Sequence, residues 1–133
     1  MKKKKGYIIA DIGIPLLTLV FVGIVIISFS IFTKESKRIN DLDRLGREYI
    51  LRMESNGYLS DTNRNTLTQE LQAIGANNIS IQGTMTPVPY ASKINLSISC
   101  NFNVEKIKMD GLKVSRGIEK ITYSDTWSST SKH

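Results

Sequence analysis

From Ile12 to Thr33 the chain carries no charged side chain, and nothing else in its 133 residues limits the possible folds so strongly. As a helix this run would be about 33 Å long at 1.5 Å per residue, against roughly 30 Å of bilayer hydrocarbon. Extending it back to Gly6 adds only Tyr7 and Asp11 as ionisable groups. A transmembrane segment is therefore expected over 7–33, and the rest of the chain has room for one small domain. A secretory signal peptide also opens with basic residues, but its apolar core is usually about 7–15 residues and ends in small residues suited to cleavage. Here the run ends SFSIFTKESKR, with no such site before the charges, so the anchor is expected to stay.

The net charge of +6 suggests nucleic acid at first sight. Without Lys2, Lys3, Lys4 and Lys5, however, the 18 basic residues fall to 14 against 12 acidic ones, so the excess is +2. The basicity is local. Four lysines ahead of an apolar run are a positive-inside signal, which predicts a single-pass chain with a cytoplasmic N-terminus and an extracytoplasmic C-terminus. Lys34, Lys37 and Arg38 oppose that orientation, but Glu35 lies among them and the first cluster is denser. Juxtamembrane lysines also attract anionic lipid, at about 1 kcal/mol each. No nucleic-acid partner is expected.

Beyond the apolar run, Ile39, Leu42, Leu45, Tyr49, Ile50 and Met53 recur at steps of three and four, the stripe of an amphipathic helix. The charged residues between them, mixed in sign, suit a solvated face. Asn56-Gly57 predicts the stop. A helix continuous from Tyr7 to Asn56 would span about 75 Å, with 34–57 as its extracytoplasmic continuation. A small α+β domain is expected over 58–128. Its helix should begin near Ser60-Asp61, turn Leu67, Leu71 and Ile74 inward, and end before Gly75. Asn78–Gln82 alternates briefly, and 84–92, with Pro87 and Pro89, reads as a connection. Ile94, Leu96, Ile98, Cys100, Phe102 and Val104 alternate with Asn95, Ser97, Ser99, Asn101 and Asn103, a strand with one buried and one wet face. A turn near Met109-Asp110-Gly111 follows. Ile121, Tyr123 and Trp127 alternate again, and 129–133 is expected to be a disordered tail. The fold class is α+β: a long N-terminal transmembrane and amphipathic helix, a short second helix, and an antiparallel sheet of three to four strands packed on the long helix.

Residues 2–11 read KKKKGYIIAD. Basic residues, Gly6, an apolar segment and Asp11 five positions after the glycine resemble the class III signal of type IV pilins and pseudopilins. The resemblance implies that a membrane-embedded prepilin peptidase cuts between Gly6 and Tyr7, so that 1–6 is a leader. It also implies that the Asp11 carboxylate meets the new amine of Tyr7 on a neighbouring subunit. A carboxylate in lipid costs roughly 2.5–3.5 kcal/mol at a helix centre, so a cationic partner has a clear physical role. Three features depart from the family pattern. Aspartate stands where most members have glutamate, Pro15 cannot donate to the Asp11 carbonyl, and the outer domain has no cysteine pair. In size the outer domain is most similar to minor pilin-like components of tight-adherence, secretion or conjugation-associated systems of bacteria. The implied partners are the prepilin peptidase, other pilin-like subunits, an inner-membrane assembly platform and membrane lipid, and the implied location after processing is a surface filament.

The residues keep a second reading open. Pro15 at a first helical position is an ordinary helix start, and Pro15 to Thr33 alone is about 28 Å of helix. Asp11 would then sit at the cytosolic interface. The chain would be an unprocessed single-span protein that presents a small extracytoplasmic binding domain to a secretion or transfer complex.

Catalysis finds no support in the residues. The one histidine is His133, the one cysteine is Cys100, and neither a zinc site nor a nucleophile–base pair can be assembled from them. No glycine-rich phosphate loop follows a strand. No enzyme activity, metal or cofactor is expected. Cys100, at an alternating apolar position, reads as a small buried hydrophobe. The triplets at Asn78 and Asn95 match a glycosylation acceptor, but both lie in expected strands and read as chance.

Overall fold

A computed structural model describes the backbone of residues 2–132 and the side chains of residues 8–132. Among these residues the order is helix α1 (Lys2–Asn56), helix α2 (Asp61–Ala73) and strands β1 (Ala76–Gly83), β2 (Lys93–Asp110) and β3 (Lys113–Thr130). The sheet is antiparallel in the order β1-β2-β3. The expectation of three to four strands resolves to three. The chain divides into two units, residues 1–34 and 35–133.

In the first unit α1 runs through Pro15 without ending. Proline lacks the N–H that would bond the Asp11 carbonyl. Two hydroxyls in the apolar run are satisfied along the helix itself, Thr18 Oγ1 to the Ile14 carbonyl and Thr33 Oγ1 to that of Phe29, each at 2.8 Å. In lipid, where no water competes, such back-bonding removes the cost of an unmade hydrogen bond.

In the second unit the stripe of α1 is the helix side of the core. Leu42, Leu45, Tyr49, Ile50 and Met53 are buried in one cluster with Leu59, Leu67 and Leu71 and with Ile94, Leu96, Ile98, Cys100, Phe102 and Val104 of β2. Each such apolar side chain contributes about 1.5–3 kcal/mol by leaving water. Ile39, expected in the stripe, is 42% exposed. Arg38 takes its place beside the sheet: its guanidinium lies 5.8 Å from the centre of the Phe102 ring and donates to the Asn103 carbonyl at 3.0 Å.

The helix ends at Asn56, as the Asn-Gly pair predicts. α2 begins where Ser60 caps it, the Ser60 hydroxyl accepting from the Asn63 N–H. Residues 84–92 form the connection, tied to the α1–α2 loop by Leu59 N–H to Thr84 O and Val88 N–H to Gly57 O. β1 pairs with β2 through a shift in register between Asn77 and Ser80, where Asn78 takes a φ of 49°. β2 and β3 pair in unbroken register from Lys93↔Thr130 to Asp110↔Lys113.

The outer face of the sheet carries the amides and hydroxyls of the alternation. They bond across strands, Ser97 to Thr126 at 2.7 Å and Thr122 to Asn101 at 2.8 Å.

Two expectations are corrected. The strand expected from Ile94 to Val104 continues to Asp110, and its partner begins at Lys113, so that a two-stranded arm extends beyond the core. The turn is Gly111-Leu112, one residue later than expected. Gly111 has φ +60°, which the first position of a tight hairpin turn of type II′ requires of glycine. The tail expected to be disordered is bound in. β3 runs to Thr130, and Ser131 is buried and exchanges backbone hydrogen bonds with Ala91 and Ser92. Lys132 donates its N–H to the Glu54 carbonyl. His133 lies outside the described residues.

Candidate functional site

The apolar part of α1 is the segment where sequence and chemistry concentrate. Regular 3.6-residue geometry spreads its isoleucines, leucines, valines and phenylalanines over the whole circumference, so no face of the protein itself can cover them. Ile9 and Leu17 are 73% exposed, and none of the apolar window is buried against the rest of the chain. The helix is long and apolar enough to cross a membrane. A helix apolar all round calls for a partner other than water.

Within this segment the carboxylate of Asp11 is exposed and is the only charged side chain from residue 8 to Thr33. Gly13 and Gly23 leave the helix surface bare, with no atom within 4 Å of where a Cβ would stand. A shallow hollow of about 400 Å³ lies along Leu17, Thr18, Val20, Phe21 and Ile24, the kind of gap between side-chain ridges into which a neighbouring helix packs. Lys2, Lys3, Lys4, Lys5, Gly6 and Tyr7, singled out for topology and processing, belong to α1 by backbone, while their side chains lie outside the described residues.

The second unit offers different chemistry. Among the described residues no three His, Cys, Asp or Glu side chains gather where they could hold a metal ion. Cys100 is fully buried in the core, and burial raises its thiol pKa, which keeps it from forming the reactive thiolate. The Tyr49 hydroxyl and Glu70 Oε2 are both shut off from solvent without a hydrogen-bond partner of good geometry. Burial first, and the charge of Glu70 second, push Tyr49 up to about 12. The Arg52 guanidinium lies 4.7 Å above the Tyr49 ring.

At the far end of α1, Glu54 accepts from the Lys132 ammonium at 2.6 Å and from the Ser129 hydroxyl, and these bonds hold its pKa below the ordinary value. Midway along, the Trp127 indole N–H donates to Asp43 at 3.2 Å, and its ring lies over Gly46. These contacts tie β3 to the helix.

Sequence reasoning missed Gly46, Glu54 and Arg38. Gly46 lies beside Leu45 on the buried stripe, and the absence of a side chain there is the one signal that a ring comes close. Arg38 suits a solvated face and Glu54 carries no local signal, because their partners are 65 and 75 residues away.

Comparison of the chain with models of protein families, with curated proteins and with solved structures gave no match.

Proposed function

We propose that this chain is a pilin-like structural subunit, minor in its assembly, of a bacterial type IV pilus-like, tight-adherence, secretion or conjugation-associated filament. The observation that supports this most is the unburied apolar helix segment with one carboxylate near its start, continued by an amphipathic stretch that carries a small three-stranded domain. An apolar rod covered by lipid before assembly can be covered by other such rods after it, with little change in the burial of its side chains. The lysines hold the N-terminus in the cytoplasm, a prepilin peptidase removes residues 1–6, and an assembly platform draws the helix from the bilayer. Asp11 then pairs with the amine of Tyr7 on a neighbour. The shorter aspartate and Pro15, which leaves the Asp11 carbonyl without a helical donor, give that first turn room to adjust.

The intact mass of the protein from cells containing the peptidase decides the matter. Loss of residues 1–6 is the expected result, with Gly6→Leu left uncut; a native chain that retains its lysines would overturn the proposal. An unprocessed single-span protein is the competing reading, under which Asp11→Asn leaves assembly unchanged.

A further inference from the structure

The β2–β3 arm reverses the polarity of the sheet. Up to Val104 the apolar residues of β2 point into the core, and its outer face carries Asn and Ser. Val104 is followed not by an apolar residue at 106 but by Glu105-Lys106-Ile107, so the alternation slips by one. In a strand a slip of one moves every apolar side chain to the opposite face. Cross-strand register sets three rows on the outer face of the arm: Glu105 with Ile118, Ile107 with Arg116, and Met109 with Val114. Lys106, Lys108 and Lys113 take the side continuous with the core. No described residue of the second unit covers the apolar rows: Ile118 is 76% exposed, Met109 59%, and Leu112 at the turn completely.

The arm is also short of neighbours within its own sheet. β1 pairs with β2 no further than Phe102, so beyond that point β2 and β3 form a ribbon of two strands. Two strands alone are marginally stable in water and ordinarily need a further layer on their apolar face. The charges on that face indicate which layer fits. Glu105 and Arg116 stand diagonal to each other, and among the described residues neither has an ion-pair partner. One acid and one base on the same face make it self-complementary, whereas a strongly charged surface of either sign would attract one and repel the other.

We propose that the apolar face of the β2–β3 arm is a docking surface for the same face on a second copy of this chain. The two ribbons stack face to face at about 10 Å, the usual spacing of packed sheets. A two-fold axis along the ribbon sets β2 of each copy over β3 of the other. Met109 then meets Val114 of the second copy, and Glu105 comes within reach of Arg116 in both directions. An axis across the strands would instead set Arg116 on Arg116, and like charges directly opposite are destabilising. The five apolar side chains of the arm, Ile107, Met109, Leu112, Val114 and Ile118, make a small face. A standard interface has roughly 20–30 residues a side, so this pairing is weak and depends on concentration. It requires neither cleavage after Gly6 nor assembly into a filament, and its failure leaves that reading of function standing.

The test uses the full chain in detergent, with micelles in excess so that two apolar helices do not share one. Ile107→Cys and, separately, Tyr90→Cys are treated with a thiol cross-linker of about 10 Å, matched to the sheet spacing. Tyr90 is exposed and adjoins the Ala91–Ser131 bonds at the opposite end of the sheet, and the buried Cys100 is shielded from labelling. Covalent dimer at 107 is expected to rise with protein concentration and to exceed that at 90 several-fold. In the Ile107→Cys background, Glu105→Arg and Arg116→Glu should each lower the yield several-fold. An equal mixture of the two should restore it as the mixed dimer, recognised by intact mass, which also shows that the altered arms are folded. Equal yields at 107 and 90 overturn the proposal, as does a mixture no better than its components or a dimer that both charge reversals leave unchanged. Absence of dimer at every concentration overturns it too, and leaves the patch to lipid or to a different protein.

Discussion

Tyr49 combines the two effects that shape this domain, close burial and imperfect polar satisfaction. Its ring is fully buried in the core, while its hydroxyl, next to Glu70, has no well-placed partner. The folded state therefore holds the phenolic proton more tightly than the unfolded chain does, with a pKa of about 12 against 10.0. The sign follows: the associated stability is complete below pH 10 and is lost as pH rises toward 12. An absorbance titration of tyrosinate should show a late step that is missing in Tyr49→Phe. Near neutral pH that substitution is expected to change stability by less than about 1 kcal/mol, because the hydroxyl it removes makes no good bond. Arg52 can stack on phenylalanine as it does on tyrosine. Tyr49 was legible as a core residue from its place in the three–four stripe, but its hydroxyl's situation was not, since Glu70 reaches it from another helix.

At the scale of elements, the contact of α1 with β3 depends on a residue that has no side chain. A Cβ at Gly46 would overlap atoms of the Trp127 ring. Gly46→Ala must displace the indole and with it the bond to Asp43, which predicts a loss of about 1–3 kcal/mol, the usual cost of overpacking. Urea unfolding measures that loss. Trp127 is the one tryptophan, so a shift in native fluorescence should accompany it. The elements themselves were largely legible. The Ser60 cap and the Asn-Gly stop sit where local chemistry puts them, and the Ile94–Val104 alternation marks its strand without error. The lengths of β2 and β3 were not. Beyond Val104 no core periodicity remains, and there the strands persist through backbone pairing around the Gly111 turn.

For the whole molecule, closure of the second unit falls to the C-terminal residues. Ser129 and Lys132 hold the buried carboxylate of Glu54, while Ser131 bonds the connection at Ala91 and Ser92. Because Lys132 and Ser129 favour the ionised form, the folded pKa of Glu54 lies below the usual 4.5. Its stabilisation is present above that value and is lost as pH falls through the lower folded one. Glu54→Gln should therefore unfold at lower urea than the native chain near neutral pH. The gap between the two should narrow in acid, and a gap independent of pH would contradict this role.

The sequence by itself determined the class of chain: an apolar helix, an amphipathic continuation, a short capped helix and alternating strands. These depend on residue periodicity and on caps, which act over a few neighbours. Only the tertiary structure decided which end of the chain closes the unit, where a glycine admits an indole, and that the arm turns its apolar face away from the core. Those outcomes join residues dozens of positions apart, where a charge or a missing side chain acquires meaning only from what the fold brings against it.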